Sequence, residues 1–208
     1  MSNKQQQLTI QAPNFQTVLL EVVGTSPYMQ AKFSHKAKAK MRETMEAGST
    51  AKSKRQRTAR DFDADFFGAQ HIATEGWNGI PVTAFRNAAI DVCRMVGYKM
   101  THAKMSIFVE ADGYDADATP LVRIIGDPPQ KAEHTVRNAT GVVDIRVRPV
   151  WQNWRAQVRV RFDADQFTVQ DVINLMYRAG QQVGIGEGRA FSKASNGLGY
   201  GLFIVKSN

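Results

Sequence analysis

The chain has 208 residues and a formal net charge of +8 at pH 7, and 43% of its residues are hydrophobic and 22% charged, as in an ordinary globular protein. A single cysteine, Cys93, excludes an internal disulfide framework and a cysteine-rich zinc site. No apolar run reaches the ~18 residues of a membrane span, and the polar residues after Met1 contain no signal-peptide core. We therefore expect a cytoplasmic protein that holds no metal and no cofactor.

The first predicted elements are a strand and a basic segment. Residues 17–23 are rich in β-branched side chains, and the turn signal at 24–27 ends them. The segment 32–60 holds ten basic residues against two acidic ones, so its excess of eight equals the net charge of the chain. We interpret residues 30–76 as a partly flexible basic insertion, although a solvated surface insertion is the alternative. The cations expected to pair with a nucleic-acid backbone are Lys36, Lys38, Lys40, Arg42, Lys52, Lys54, Arg55 and Arg57.

Three carboxylates at alternate positions, Asp61, Asp63 and Asp65, follow the basic segment. Such a set is able to gather a divalent cation. The glycine and glutamate of a calcium loop are absent at the required offsets, however. We expect solvated acids that flank buried phenylalanines or pair with the basic segment.

A helix is predicted over residues 83–96, because apolar side chains recur there on one face and Gly97 ends the pattern. The stripe consists of Phe85, Ala88, Ala89, Val92, Cys93 and Val96. Residues 106–110 and 121–125 are predicted strands around a turn at 112–115. They form a hairpin insertion, residues 105–125, after the first helix.

Residues 143–162 show the clearest strand alternation and are predicted to form a hairpin. Apolar residues alternate with five arginines: Arg146, Arg148, Arg155, Arg159 and Arg161. Arginine on a sheet face also serves solubility. Only Asp144 opposes these five, and the planar guanidinium suits phosphate contact, so we assign them to nucleic-acid binding. Trp151, in the connection, is the best candidate for base stacking.

The end of the chain reads as a helix, a glycine-rich loop and a strand. The helix over residues 168–182 begins with an acidic capping box, in which Thr168 is followed by Asp171. The glycine-rich loop, residues 183–201, leads into an apolar strand at 198–205. One interpretation is a flexible surface connection. The other is a phosphate-binding loop, and its candidate residues are Gly184, Gly186, Gly188 and Arg189.

The order of the predicted elements is strand, helix, strand, strand, helix, strand. This order indicates an α+β protein with a ferredoxin-like, or RRM-like, βαββαβ module. The basic insertion lies after the first strand and the hairpin insertion after the first helix. No second hydrophobic segment remains, so residues 1–208 are predicted to form one domain.

The end of the chain has a helix, the run Gly184-Ile185-Gly186-Glu187-Gly188-Arg189, a spacer, the run Gly197-Leu198-Gly199-Tyr200-Gly201 and a terminal strand. This order resembles the glycine-rich signature of the RAMP superfamily, the RNA-binding proteins of CRISPR complexes. The Ile80-Pro81 entry to an arginine-containing helix is similar to that family as well. Among its members the chain is most similar to the repeating subunit that coats the guide RNA, or to a phage or mobile-element relative of that subunit.

The resemblance implies a protein of a bacterial, archaeal or phage-infected cell that binds single-stranded nucleic acid without sequence preference. RNA is the favoured ligand, and the subunits self-associate along the strand, with or without other partners, as the backbone of a ribonucleoprotein; no membrane is involved. We expect no enzymatic activity. Two alternatives stay open: a metal-independent endoribonuclease with His35 as general acid or base, and a phage assembly or structural protein.

Overall fold

The structure is a computed structural model that describes residues 10–33, 35–46, 48, 60–137, 143–191 and 197–206, and for residues 35–37, 40, 136 and 137 it describes the backbone alone. The strands are β1 (Phe15–Gly24), β2 (Tyr28–Met29), β3 (Gly79–Pro81), β4 (Ile107–Val109), β5 (Gly113–Tyr114), β6 (Pro120–Arg123), β7 (Ile125–Gly126), β8 (Gln130–Arg137), β9 (Val143–Trp151), β10 (Trp154–Asp163) and β11 (Phe203–Lys206). The helices are α1 (His35–Glu46), α2 (Phe62–Gly68), α3 (Val82–Met95), α4 (Met100–Ser106) and α5 (Val169–Arg178), and a π-helical turn, Ala179–Val183, follows α5.

The main sheet has the antiparallel order β11-β1-β10-β4, with β7 beside the start of β10. Its two long strands pair in register, with Val18 opposite Val160 and Leu20 opposite Val158. The period-two alternation buries one face of β1 and β10 and leaves the other open. The fold is therefore α+β with antiparallel sheets.

Helices α3 and α5 lie on the buried face of this sheet and close the core. The apolar stripe of α3 is buried from Phe85 to Cys93 as predicted, whereas Val96 is 54% exposed beyond the end of the helix. Burial raises the pKa of the Cys93 thiol to about 11, as expected of a core residue. The predicted capping box of α5 is present: Thr168 Oγ1 accepts from the Asp171 amide at 3.1 Å, and the Asp171 carboxylate accepts from the Thr168 amide at 2.9 Å.

The predicted hairpin over residues 143–162 is wrong, because its two strands belong to different sheets. Strand β9 pairs with β8 and β2, whereas β10 pairs with β1, β4 and β7. Trp151 and Trp154 are both buried on either side of the bend, at 2% and 3% exposure. The Trp154 indole packs over Gly24 and donates to the Ser26 carbonyl at 2.9 Å, so β10 is held against β1 and not against β9.

The predicted hairpin insertion over residues 105–125 is also wrong. Strand β4 joins the edge of the main sheet, with Phe108 opposite Arg161. Strand β6 instead pairs with β3 and β5 in a third sheet, where Leu121 lies opposite both Pro81 and Gly113. The two segments separate because Leu121 and Ile107 are both fully buried in different surroundings. The terminal strand begins at Phe203, later than predicted.

The basic insertion contains helices α1 and α2, and the aspartates at its end have structural partners. Asp61 caps α2 by accepting from the amides of Asp63 and Ala64 at 3.0 and 2.9 Å. Asp63 pairs with Lys131 at 2.6 Å, and Asp65 with Arg60 of the basic segment at 2.7 Å. Within the described ranges, no set of three or more His, Cys, Asp and Glu side chains is arranged to hold a metal ion, and none of the helices there is long and apolar enough to cross a membrane.

Candidate nucleic-acid interface

The glycine-rich loop is fixed against the backbone around β2. The Glu187 amide donates to the Met29 carbonyl at 2.9 Å, and the Gly201 amide donates to the Pro27 carbonyl at 2.7 Å. Gly186 has a φ of +81°, and a Cβ on it would lie 2.4 Å from the Met29 carbonyl oxygen. A Cβ on Gly201 would lie 1.8 Å from the carbonyl oxygen of Ile185. These glycines thus allow the loop to approach the backbone of the protein itself.

A cavity of about 460 Å³ opens between this loop, the start of α3 and β2. Pro81, Thr83 and Ala84 of the first helical turn line the cavity, and no side chain caps that turn. The amides of Gly186 and Gly188 donate no hydrogen bond to any other described residue. The amides of the first turn of a helix, here α3, have no intrahelical partner and attract anions at the positive end of the helix dipole, and the two loop amides are further donors beside them.

Arg189 brings its guanidinium to the wall of the same cavity. Its Nη1 donates to the Gly186 carbonyl at 3.1 Å and its Nε donates to the Phe191 carbonyl at 3.2 Å. Arg189 therefore folds back over the loop and holds it closed, while its positive charge stays beside the cavity. The prediction that Gly184, Gly186, Gly188 and Arg189 belong to one site is consistent with this geometry.

Carboxylates also face the cavity, so it presents both signs of charge. Glu187 is paired with two predicted arginines, Arg148 through a short Nε contact and Arg146 at 3.7 Å. These two arginines therefore reach the loop but are neutralised there. Asp91 and Asn87 of α3 add acceptor groups on the opposite wall. A ligand of this cavity needs anionic groups near Arg189 and hydrogen-bond donors near Asp91.

A buried ion cluster adjoins the cavity at His71. The Nδ1 of His71 lies 2.8 Å from Asp115 Oδ2, and Lys32 Nζ lies 2.9 Å from the same oxygen. The Asp115 side chain is fully buried, and its Oδ1 accepts from the amides of Asp117 and Thr119. His71 lines the cavity, and among the described residues its Nε2 has no hydrogen-bond partner.

The cluster sets the protonation of its members. Burial lowers the pKa of His71, Asp115 opposes that effect, and the Lys32 charge lowers it further, so the imidazole is neutral at pH 7. Burial would raise the pKa of Asp115, but hydrogen bonds from His71, Lys32 and Thr119 outweigh it and hold the pKa well below its usual range. Neither residue was selected from the sequence: they are 44 positions apart, and residues 112–115 had been interpreted only as a turn.

The basic helix α1 starts close to this cluster. Lys38 pairs with Asp117 at 3.0 Å, beside the contact of Asp117 with Lys32 at 3.1 Å. Arg42 lies on the exposed part of the helix. Of the other predicted cations, Lys36 and Lys40 belong to α1, and so does His35; the structure describes only the backbone of these three residues. Lys52, Lys54, Arg55 and Arg57 lie outside the described residues.

The remaining predicted arginines lie elsewhere, on the open face of the main sheet. Arg155, Arg159 and Arg161 alternate along β10 on that face. Arg159 is paired with Glu110 at 3.6 Å and with Asp112 at 2.8 Å, whereas Arg155 and Arg161 make no ion pair with any described residue. Trp151, the predicted stacking residue, is buried and cannot contact a base. The predicted cations thus fall into two separate regions.

The chain was compared with protein-family models and with curated proteins, and neither comparison gave a match.

Proposed function

We propose that this protein binds single-stranded nucleic acid, with RNA favoured, without catalysis and without sequence preference. We further propose that copies assemble along the strand as the backbone of a ribonucleoprotein. The observation that carries the proposal is the cavity beside the glycine-rich loop. There the uncapped start of α3, two loop amides without a partner among the described residues and the Arg189 charge line one cavity, and together they suit a backbone phosphate.

The polar wall of the cavity supports RNA over DNA. Asn87 and Asp91 lie on the same helix as the uncapped turn and offer hydrogen-bond acceptors. A ribose 2′-hydroxyl donates a hydrogen bond that deoxyribose lacks, and this group is how proteins tell RNA from DNA. A phosphate placed near Arg189 pairs with the positive charge of the cavity, and the 2′-hydroxyl of its ribose, directed toward Asp91, donates to the carboxylate.

The fold proposal goes with the function. Strand β1, helix α3, strands β4 and β10, helix α5 and strand β11 follow one another as a βαββαβ series, and their sheet order is β11-β1-β10-β4. We propose a ferredoxin-like module of the RAMP type in which β4 is the second strand, in place of the segment 142–148. Helix α5, the glycine-rich loop and β11 remain consecutive, as the family resemblance implies.

Binding is tested by the salt dependence of affinity for a labelled oligouridylate. Each lost phosphate contact should flatten the slope of log K against log salt by roughly 0.7. We expect that change for Arg189→Gln, and for Lys38→Gln and Arg42→Gln on α1. Arg178→Gln is the matched control, because Arg178 is an exposed arginine at the end of α5, away from the cavity. Slopes that match the wild type in all three variants would refute the proposal.

Assembly is tested by sedimentation and electron microscopy with long single-stranded RNA. We expect regular arcs or filaments, since linked sites on one strand raise the effective concentration of neighbouring subunits. Polymerisation to the same extent after nuclease treatment would instead support the structural-protein alternative.

A second candidate function, metal-independent RNA cleavage, is favoured by the contact between His71 and Asp115. A neutral imidazole held by a carboxylate, whose Nε2 has no partner in the described part of the chain, has the form of a general base. The test is cleavage of oligouridylate in the presence of EDTA. Loss of this cleavage in His71→Ala would establish the nuclease function. His102→Ala is the control that should keep the activity, since His102 is exposed and outside the cavity. Absence of cleavage by the wild type leaves the binding function.

A further inference from the structure

The open face of the main sheet carries aromatic rings that the proposed binding cavity does not use. Phe15 of β1 and Phe108 of β4 lie on either side of Arg161, and the two ring centroids are 5.8 Å apart. The Arg161 guanidinium carbon lies 4.8 Å from the Phe15 centroid and 5.0 Å from the Phe108 centroid. Phe15 is 37% exposed, and Leu19, which follows Thr17 on this face of β1, is 54% exposed. The Arg86 guanidinium carbon also lies 5.2 Å from the Phe108 centroid, so it is the Phe15 side of the cluster that is open to a planar ligand.

A second aromatic group lies further along the same face. Trp77 lines a cavity of about 260 Å³ together with Gln157, whose side chain projects from the open face of β10. The indole rests on Gly79 and Gly113, where a Cβ would lie 2.9 and 2.7 Å from its ring atoms. The Arg123 guanidinium carbon lies 6.0 Å from the ring centroid. Glycine at both positions is what allows the indole to lie against the backbone.

The spacing of the two groups suits a short piece of a single strand. Gln157 and Arg161 are four residues apart on β10, which is about 13 Å at ~3.3 Å per residue. At ~3.4 Å per stacked base, that length corresponds to about four nucleotides. Arg155 and Arg161, which have no ion-pair partner among the described residues, lie at the two ends of this path.

We propose that this face, from Phe15 and Phe108 to Trp77, is a base-stacking platform for single-stranded nucleic acid. Bases stack on the aromatic rings and on the guanidinium planes, while Arg155 and Arg161 meet the phosphates. Of the carboxylates along this face, Glu110 and Asp112 are paired with Arg159, and Glu21, opposite Gln157, lies 3.7 Å from Lys206, which reduces their repulsion of the strand. The platform rests on the proposed binding function and adds to it a site for the bases.

The test uses the fluorescence of the full-length protein. The chain has three tryptophans, and Trp151 and Trp154 are buried, so Trp77 is the one that a base is able to reach. We expect oligouridylate to quench the emission and inorganic polyphosphate, which has charge but no bases, to bind without quenching. Trp77→Phe should lose the quenching and keep its affinity, because it keeps a ring.

Affinity gives the second measurement. Trp77→Ala and Phe108→Leu should each raise the Kd for oligouridylate about fivefold or more, as expected for a lost stacked base. Phe67→Leu is the matched control, a phenylalanine on α2 that is 63% exposed and away from this face. Urea midpoints near that of the wild type show that each variant is folded.

The outcomes separate the two proposals. The platform is refuted if the wild type binds oligouridylate without quenching and if Trp77→Ala and Phe108→Leu leave the affinity unchanged. The cavity then remains as the binding site. Failure of the wild type to bind oligouridylate refutes both. A change of oligomeric state in Phe15→Leu or Phe108→Leu without nucleic acid identifies the face as a protein interface and also overturns the platform.

Discussion

Replacement of Gly186 by alanine tests whether the glycine-rich loop is built around contacts with its own protein. Gly186 has a φ of +81°, a conformation that costs a residue with a Cβ about 1–2 kcal/mol. The new Cβ would also meet the Met29 carbonyl oxygen at 2.4 Å and Tyr28 ring carbons at 2.7 and 3.0 Å. Since Tyr28 is fully buried in the core, neither neighbour is able to move without loss of packing.

Three contributions to the loss of stability add. Displacing the Met29 carbonyl weakens its hydrogen bond with the Glu187 amide, a loss of about 1 kcal/mol, and overpacking against Tyr28 adds about 1–3 kcal/mol. With the backbone strain, we expect Gly186→Ala to lower the free energy of unfolding by about 3–6 kcal/mol. That is a large part of the 5–15 kcal/mol of a typical domain. A larger branched side chain, as in Gly186→Val, should therefore cause partial unfolding and not a selective loss of binding.

Gly97→Ala is the matched control. Gly97 also has a positive φ, +77°, but no described atom lies within 4 Å of its Cβ position, so we expect the strain of about 1–2 kcal/mol alone. Urea denaturation followed by circular dichroism measures both variants, and the midpoint for Gly186→Ala should be lower than that for Gly97→Ala by about 1 M or more. Equal midpoints would mean that the loop is a free connector and that its close approach to Met29 has no energetic consequence.

Two further predictions concern stability. Asp115→Asn leaves the largely buried Lys32 ammonium without its main partner and should destabilise the protein by about 3 kcal/mol at pH 7. Because the folded-state pKa of Asp115 is lowered, its contribution is fully present above the unfolded pKa of ~3.9 and is lost as the pH falls through the lower folded-state pKa. The urea midpoints of wild type and variant should therefore begin to approach each other at about pH 4 and continue to do so at lower pH; a constant difference down to pH 2 would contradict the assignment. Thr168→Ala removes the hydroxyl of the capping box and should lower the free energy of unfolding by about 1 kcal/mol, whereas Thr168→Ser should restore most of it; equal losses in both variants would contradict a capping role.

The two central helices were predictable because their signals are local. The apolar stripe of α3 and the capping box of α5 each lie within a few turns of chain, so periodicity and the Thr168–Asp171 spacing were sufficient. Strand partners depend on contacts between distant residues. Period-two alternation correctly assigned the buried and exposed sides of β10. The alternation does not indicate that Trp154 packs over Gly24, and this contact directs β10 to β1.

The candidate site was predictable only in part for the same reason. The glycine spacing and Arg189 pointed to the loop, which does line a cavity. The contact between His71 and Asp115, and that between Arg148 and Glu187, join segments about forty residues apart. A sequence shows which side chains carry a charge, but it does not show which distant side chain each of them contacts in the fold. Two of the five arginines assigned to phosphate contact are paired with Glu187 and a third with Glu110 and Asp112.

This pairing suggests how affinity is divided in the protein. Three of the five strand arginines have acidic partners, so the unbalanced charge of the chain remains in the basic segment 32–60, whose excess of eight equals the total. Under the proposed function, counterion release by that segment should give the part of nucleic-acid binding that weakens with salt. Under the proposed function, Arg189 in the cavity shares this salt dependence, whereas the aromatic rings of the open sheet face act through stacking, which salt screens little. Variants of the basic segment should therefore change the salt slope, whereas variants of Trp77 or Phe108 should lower the affinity equally at every salt concentration.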